Sequence, residues 1–262
     1  VTSQDSISAA VARLAQAQET RVPCAPVRDL IGTDDLAAAY AVQQGLVQGR
    51  LERGAVVVGR KIGATSKAVQ DQLGVDQPDF GYLLDVMDVS SDDPISMRTL
   101  LQPRVEGEVA FRLARDIDDD EITLEAVRDA VDVALPALEI VDSRIADWAI
   151  GFTDTVADNA SSGLFVVGTD GRTLEELEPR DVTMSLEING EERSAGTGAA
   201  CLGDPLEALR WLAVQAQRFG DPLRAGALIL SGALGPFVPF APGDRVVATI
   251  SGFAPLSVTF EE

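Results

Sequence analysis

The sequence predicts an α+β fold in which a β-rich core follows a helical N-terminal extension. Three observations carry that expectation. Up to residue 54 the apolar residues recur at helical spacing. From Ala55 onward most apolar runs are short and strand-like. The later helical patterns are few and never alternate regularly with strands, which argues against a parallel α/β design. The chain is expected to divide into a helical extension over 1–54 and a β-rich catalytic domain over 55–262, long enough to bury a full core.

In the extension, Ile7, Ala10, Val11 and Leu14 fall on one helical face after a start rich in serine and aspartate. A second helix is expected to begin with Thr33 as N-cap, to line one face with Leu36, Tyr40, Val47 and Leu51, and to stop at Gly54. Strand-like runs then occupy 55–63, 105–114, 138–143, 163–169, 182–189, 227–232, 244–251 and 255–260, with Asn189-Gly190 as a hairpin turn between two of them. Two helices interrupt. One starts at Thr123, carries Leu124, Val127, Val131 and Leu135 on a face and is ended by Pro136. The other opens with Asp204-Pro205-Leu206-Glu207 and closes at Gly220.

The run Arg104-Val105-Glu106-Gly107-Glu108-Val109-Ala110-Phe111 carries the chemistry. Read as a strand, it puts Glu106 and Glu108 on one face, roughly 7 Å apart, where at an effective dielectric of ~20 two carboxylates repel by about 2.4 kcal/mol. Glu139 sits in a second apolar run, Leu135 to Val141. Three acids in hydrophobic strands ask for a cation, although glutamates facing solvent from a half-exposed strand would show the same pattern. The chain has no histidine, and Cys24 and Cys201 lack metal-binding spacing, so such a site would be oxygen-only and suited to Mg²⁺, Mn²⁺ or Ca²⁺. Both lysines fall in Gly59 to Lys67, where Lys61 follows a buried-looking strand and Lys67 reads as a surface residue. An ammonium beside the carboxylates would bind an anionic substrate or move a proton. The stretch Phe152 to Gly163 is dense in hydrogen-bonding side chains just before an apolar strand.

Other chemistries are excluded. A net charge of −21 disfavours nucleic acid as a partner. No run approaches a membrane span, and the N-terminal residues resemble no secretory signal. Two lone cysteines then point to a reducing cytoplasm without a disulfide framework. Asp116 to Asp120 fails as a calcium loop, because its sixth and twelfth positions are Glu121 and Val127. Gly196 to Cys201 fails as a dinucleotide fingerprint.

The segments Gln72 to Gly81, Leu101 to Glu108, Leu135 to Glu139, Ser143 to Trp148, Asp154 to Ser161 and Leu228 to Pro236 together resemble the 2-hydroxypenta-2,4-dienoate hydratases. These are part of the hydratase/decarboxylase branch of the fumarylacetoacetate hydrolase superfamily. The resemblance runs from about residue 27 to 260. It implies a β-rich mixed-sheet barrel or roll and a divalent metal, Mg²⁺ or Mn²⁺, on Glu106, Glu108 and Glu139. It further implies a substrate pocket lined by Lys61, Asp79 and Ser161. The activity implied is metal-dependent hydration of 2-hydroxypenta-2,4-dienoate, with 2-oxo-hex-3-enedioate (4-oxalocrotonate) decarboxylation, or a non-catalytic metal-binding partner subunit, as alternatives. A homo-oligomer of five or ten subunits is also implied, as is a complex with a downstream aldolase or a paralogous decarboxylase. Departures are Ala64 for a usual leucine, Ala227 for an aspartate and Asp204 for a histidine; none touches the metal set.

Overall fold

A computed structural model describes residues 2–67, 70, 75 and 77–262. Part of the family-like segment, 72–74 and 76, lies outside the described residues. The expected α+β class is what the structure has: two mixed sheets and few helices. The N-terminal helices are α1 (Gln4–Thr20), α2 (Arg28–Ile31) and α3 (Leu36–Leu51). Among the described residues, no helix is long and apolar enough to cross a membrane.

The larger sheet orders its strands β2 (Asp79–Leu84), β1 (Val57–Gly63), β9 (Leu228–Ala233), β4 (Arg104–Leu113), β5 (Val131–Val141) and β6 (Ser162–Val167), with β10 (Val238–Pro239) pairing on β4. The smaller sheet runs β3 (Ile95–Ser96), β12 (Leu256–Glu261), β11 (Arg245–Ile250), β7 (Thr183–Ile188) and β8 (Glu191–Thr197). Period-two alternation in β4 decides what faces what. Val105, Val109 and Phe111 pack into the main hydrophobic cluster with Met184, Leu186 and Val246 of the smaller sheet, so that face is the interlayer core. Glu106, Glu108 and Ala110 point the other way. Gly107 lies opposite Met184, where a Cβ would come within 3.1 Å of the methionine side chain, so the sheets approach closely beneath the glutamates.

The N-terminal helices are fastened to this core. Buried Gln43 on α3 donates through Nε2 to the carbonyls of Phe80 (2.8 Å) and Val156 (2.9 Å). Buried Asp154, on the short helix α5 (Phe152–Ala157), accepts from the backbone N–H groups of Val27, Arg28 and Gly151 and pairs with Arg28. Among the described residues, further α-helices are α4 (Leu124–Ala130) and α6 (Pro205–Arg218).

Two local expectations are corrected. Asp35, not Thr33, caps α3, its Oδ1 accepting from Ala38 N at 3.0 Å. The helix expected from Thr123 to Pro136 ends at Ala130, and Pro136 lies inside β5 opposite Val109. The β-branched Val131 and Val133 favour strand there, and a proline without an N–H is tolerated at that pairing position. The hairpin at Asn189-Gly190 stands, both residues having positive φ as a tight two-residue turn requires. Asp116 and Asp118 pair with Arg224 on the surface, consistent with their rejection as a calcium loop.

Candidate active site

Strand register assembles the carboxylates. Glu106 pairs directly with Glu139 across β4 and β5, a like-charge juxtaposition that destabilises a sheet unless something neutralises it. One ligand oxygen from each of Glu106, Glu108 and Glu139 lies within 4.8 Å of the others, and the three residues are 6%, 0% and 0% exposed. Gly232 N donates to Glu108 Oε2 at 2.9 Å and orients it. Glu108 Oε1 and both oxygens of Glu139 are buried without a hydrogen-bond donor. Unsatisfied acceptors of this kind are rare in interiors and leave lone pairs that a cation could take. An oxygen-only donor set with orphaned lone pairs fits a hard divalent cation. Without one, burial and then the neighbouring Glu139 push Glu106 up to about 8, and burial with both neighbours pushes Glu108 well above its ordinary range.

Lys61 supplies one positive charge. It is 3% exposed on β1, and Nζ lies 3.0 Å from Glu139 Oε1, close enough for an ion pair but outside hydrogen-bond geometry. Burial, the largest influence, pulls its pKa down, but Glu139, Asp79, Glu106 and Glu108 together hold it above the ordinary lysine value. Lys67 is exposed. Asp79 begins β2 opposite Gly63, where a Cβ would lie 2.2 Å from Asp79 Oδ1; only glycine leaves the carboxylate its place. Burial raises the Asp79 pKa, opposed first by Lys61.

Ser161 reaches the site by a different route. Asn159, Ala160 and Ser161 have φ of 56°, 52° and 52°. The left-handed region costs a non-glycine residue roughly 1–2 kcal/mol, with asparagine the most tolerant. The Ser161 hydroxyl lies 3.4 Å from Thr155 Oγ1 and 3.4 Å from Asp158 Oδ2. Lys61, Asp79, Glu106, Thr155 and Ser161 line one cavity of about 150 Å³, together with the partly exposed Arg104, Trp148 and Phe237 at its rim. The Arg104 guanidinium stacks on both rings, 4.6 Å and 4.9 Å from their centres. A larger groove, about 660 Å³, runs between α1, α3 and β6 and contains none of the three carboxylates.

The structure therefore brings all six sequence-proposed residues to one place, with Glu108 and Glu139 beneath the cavity and the other four on its wall. Sequence reasoning missed Thr155, which lines the cavity with Asp79 and lies beside the Ser161 hydroxyl, and the rim of Arg104 and Trp148. Thr155 stood in the hydroxyl-dense stretch and Arg104 two residues before Glu106, on the same strand face. Asp158 was missed as well: buried, it accepts from Ser143 Oγ, Arg144 N and Arg144 Nε behind Ser161.

Comparison with known proteins follows the same lines. Residues 55–261 match the family model described as fumarylacetoacetate (FAA) hydrolase C-terminal. The 2-keto-4-pentenoate hydratase of Paraburkholderia xenovorans LB400 is 50% identical over 248 residues, covering 95% of this chain and 92% of the relative. The TodF product hydratase of Pseudomonas putida F1 is 49% identical over 247 residues, covering 94% and 92%. Among solved structures, the 4-oxalocrotonate decarboxylase from Pseudomonas putida G7, complexed with magnesium and adipate, superposes with a TM-score of 0.94 at 30% identity, covering 99% of both chains.

Proposed function

This chain belongs to the fumarylacetoacetate hydrolase family, and we propose that within it the chain is a metal-dependent hydro-lyase. Its substrate is 2-hydroxypenta-2,4-dienoate and its product 4-hydroxy-2-oxopentanoate, in the meta-cleavage breakdown of aromatic or steroid compounds. The observation that carries this reading is the buried cluster of Glu106, Glu108 and Glu139, with unpartnered oxygens on Glu108 and Glu139 and a single ammonium against it. The relatives at 49% and 50% identity that are named hydratases favour it over the decarboxylase at 30%.

Glu106, Glu108 and Glu139 would hold Mg²⁺ or Mn²⁺. Bound there, the cation supplies Lewis acidity that stabilises negative charge on the C2 oxygen of a 2-oxo acid, worth several kcal/mol. The chain's own groups handle protons and position. The C2 hydroxyl gives up its proton and C5 gains one, which makes the α,β-unsaturated 2-oxo acid; one water then adds as hydroxide at C4 and a proton at C3. Lys61 and Asp79, buried side by side, hold and deliver those protons. Ser161 and Thr155 offer hydroxyls that orient the substrate carboxylate or the water. The small cavity, with Arg104, Trp148 and Phe237 at its rim, leaves room for a substrate of this size and little water beside it.

Side-by-side assay with the pentadienoate and 2-oxo-hex-3-enedioate, with Mg²⁺ or Mn²⁺, tests the reading. Expected are loss of dienol absorbance, uptake of one water and no carbon dioxide. Carbon dioxide from the hexenedioate without hydration of the pentadienoate would reverse it. The same reading takes 1–54 as a helical extension, 55–262 as the catalytic domain, and the active form as a cytoplasmic homo-oligomer of five or ten subunits that can associate with a downstream aldolase or a paralogous decarboxylase.

A further inference from the structure

The turn that presents Ser161 is held from both sides. Asn159 Oδ1 accepts from Tyr82 N at 2.8 Å and Asn159 Nδ2 donates to Tyr82 O at 2.9 Å, so one side-chain amide pairs with β2 as a neighbouring strand would. On the other side Arg144 grips Asp158 Oδ1 through Nε at 2.5 Å and donates through Nη1 to Ser162 O at 2.7 Å. Gly81 lets the turn approach: a Cβ there would lie 2.5 Å from Asn159 O. Three successive left-handed residues, two of them Ala160 and Ser161, would relax toward ordinary backbone if either grip were released. The strand that Asn159 grips also carries Asp79, three residues before Tyr82.

From this we infer that Asn159 is a positioning residue, whose paired bonds to Tyr82 hold the Ser161 hydroxyl in register with Asp79 and Thr155 for the reaction. The inference rests on the role given to Ser161 above. Asn159 itself does not line the catalytic cavity but the groove behind it, so it acts through the serine and not on the substrate.

A double-mutant cycle tests this, with kcat, KM and Mn²⁺ affinity measured for Ser161→Ala, Asn159→Ala and the double variant. Asn159→Ala should lower kcat about as far as Ser161→Ala, with Mn²⁺ affinity unchanged, because the carboxylates sit on other strands. In the Ser161→Ala background, Asn159→Ala should cost no further kcat. Asn159→Asp, which keeps the shape but turns an acceptor toward Tyr82 O, should show the same pattern and serves if the alanine variant does not fold. A kcat loss from Asn159 variants that persists at full size without the Ser161 hydroxyl would mean a general structural role and overturn the inference. Full kcat in Asn159→Ala beside a slow Ser161→Ala would overturn it alone. Full kcat in Ser161→Ala would remove both the serine's role and the inference while leaving the metal reading untouched.

Discussion

The two walls of the cavity are built in opposite ways. The carboxylate wall stands on β4 and β5, long neighbouring strands whose ladder places Glu106 opposite Glu139 and whose backbone is ordinary. The hydroxyl wall stands on a helix of six residues and a turn with three consecutive left-handed residues, held by Asn159, Asp158 and Arg144. The first wall concentrates electrostatic cost in side chains and leaves the backbone relaxed. The second concentrates cost in the backbone and satisfies its side chains. A cation can relieve the first kind of cost; only packing and hydrogen bonds can maintain the second.

Breaking the carboxylate wall should have the largest effect. Replacing Glu108 or Glu139 with glutamine should weaken Mn²⁺ binding and slow turnover about a thousandfold, the rate equivalent of several kcal/mol of lost charge stabilisation. Retention of both affinity and rate in these variants would place the metal elsewhere. Next comes the ammonium between the walls. Lys61→Ala should cost about a hundredfold, as loss of a general acid or base does, while Lys67→Ala, at an exposed position, should behave as the parent. Equal rates for the two lysine variants would remove Lys61 from the chemistry.

Removing the metal sharpens the contrast without mutation. Glu106 stands at about 8 in the cation-free site against an ordinary value of 4.5. An acid whose folded pKa is raised binds more protons folded than unfolded, so its stabilisation is full below the lower value and declines as pH rises toward the upper. The chelated protein should therefore melt at lower temperature at pH 8 than at pH 5.5, and added Mg²⁺ should restore more at pH 8. A melting temperature independent of pH and Mg²⁺ would contradict the crowding of the three carboxylates. The smallest effect belongs to the hydroxyl wall. Thr155→Val removes the hydroxyl that faces Ser161 and should cost about three- to tenfold in kcat, in line with ~1 kcal/mol for a neutral hydrogen bond. A change at Thr155 as large as that at Lys61 would mean the threonine moves protons itself.

Legibility in the sequence follows the same division. Glu106 and Glu108 could be placed because strand alternation is a two-residue rule, and Glu139 because an acid inside an apolar run is costly to bury without a positive charge beside it. Lys61 was visible as one of two lysines in an arginine-rich chain, directly after an apolar run. Asp79 and Ser161 came only through family resemblance, since nothing local marks a strand-opening aspartate or a serine after Asn159-Ala160 as special. The left-handed turn is invisible because alanine and serine are poor residues for it, and only contacts with Tyr82 and Arg144 far along the chain impose it. The misjudged helix before Pro136 has the same origin. Leu124, Val127, Val131 and Leu135 have helical spacing, but pairing with β4 claims the chain from Val131 onward.

One further consequence concerns how such a protein can diverge. Every second residue of β4 from Arg104 to Glu108 faces the cavity, and every residue between them faces the smaller sheet, with Gly107 against Met184. A single inserted or deleted residue in that stretch would turn the glutamates into the apolar interlayer and the valines toward the cavity, so the fold and the carboxylate cluster would be lost in one step. Lineages descending from this sequence can alter β4 only by exchanging residues at constant length. Changes of length are better borne in exposed segments outside the paired strands, such as the surface residues 118–121.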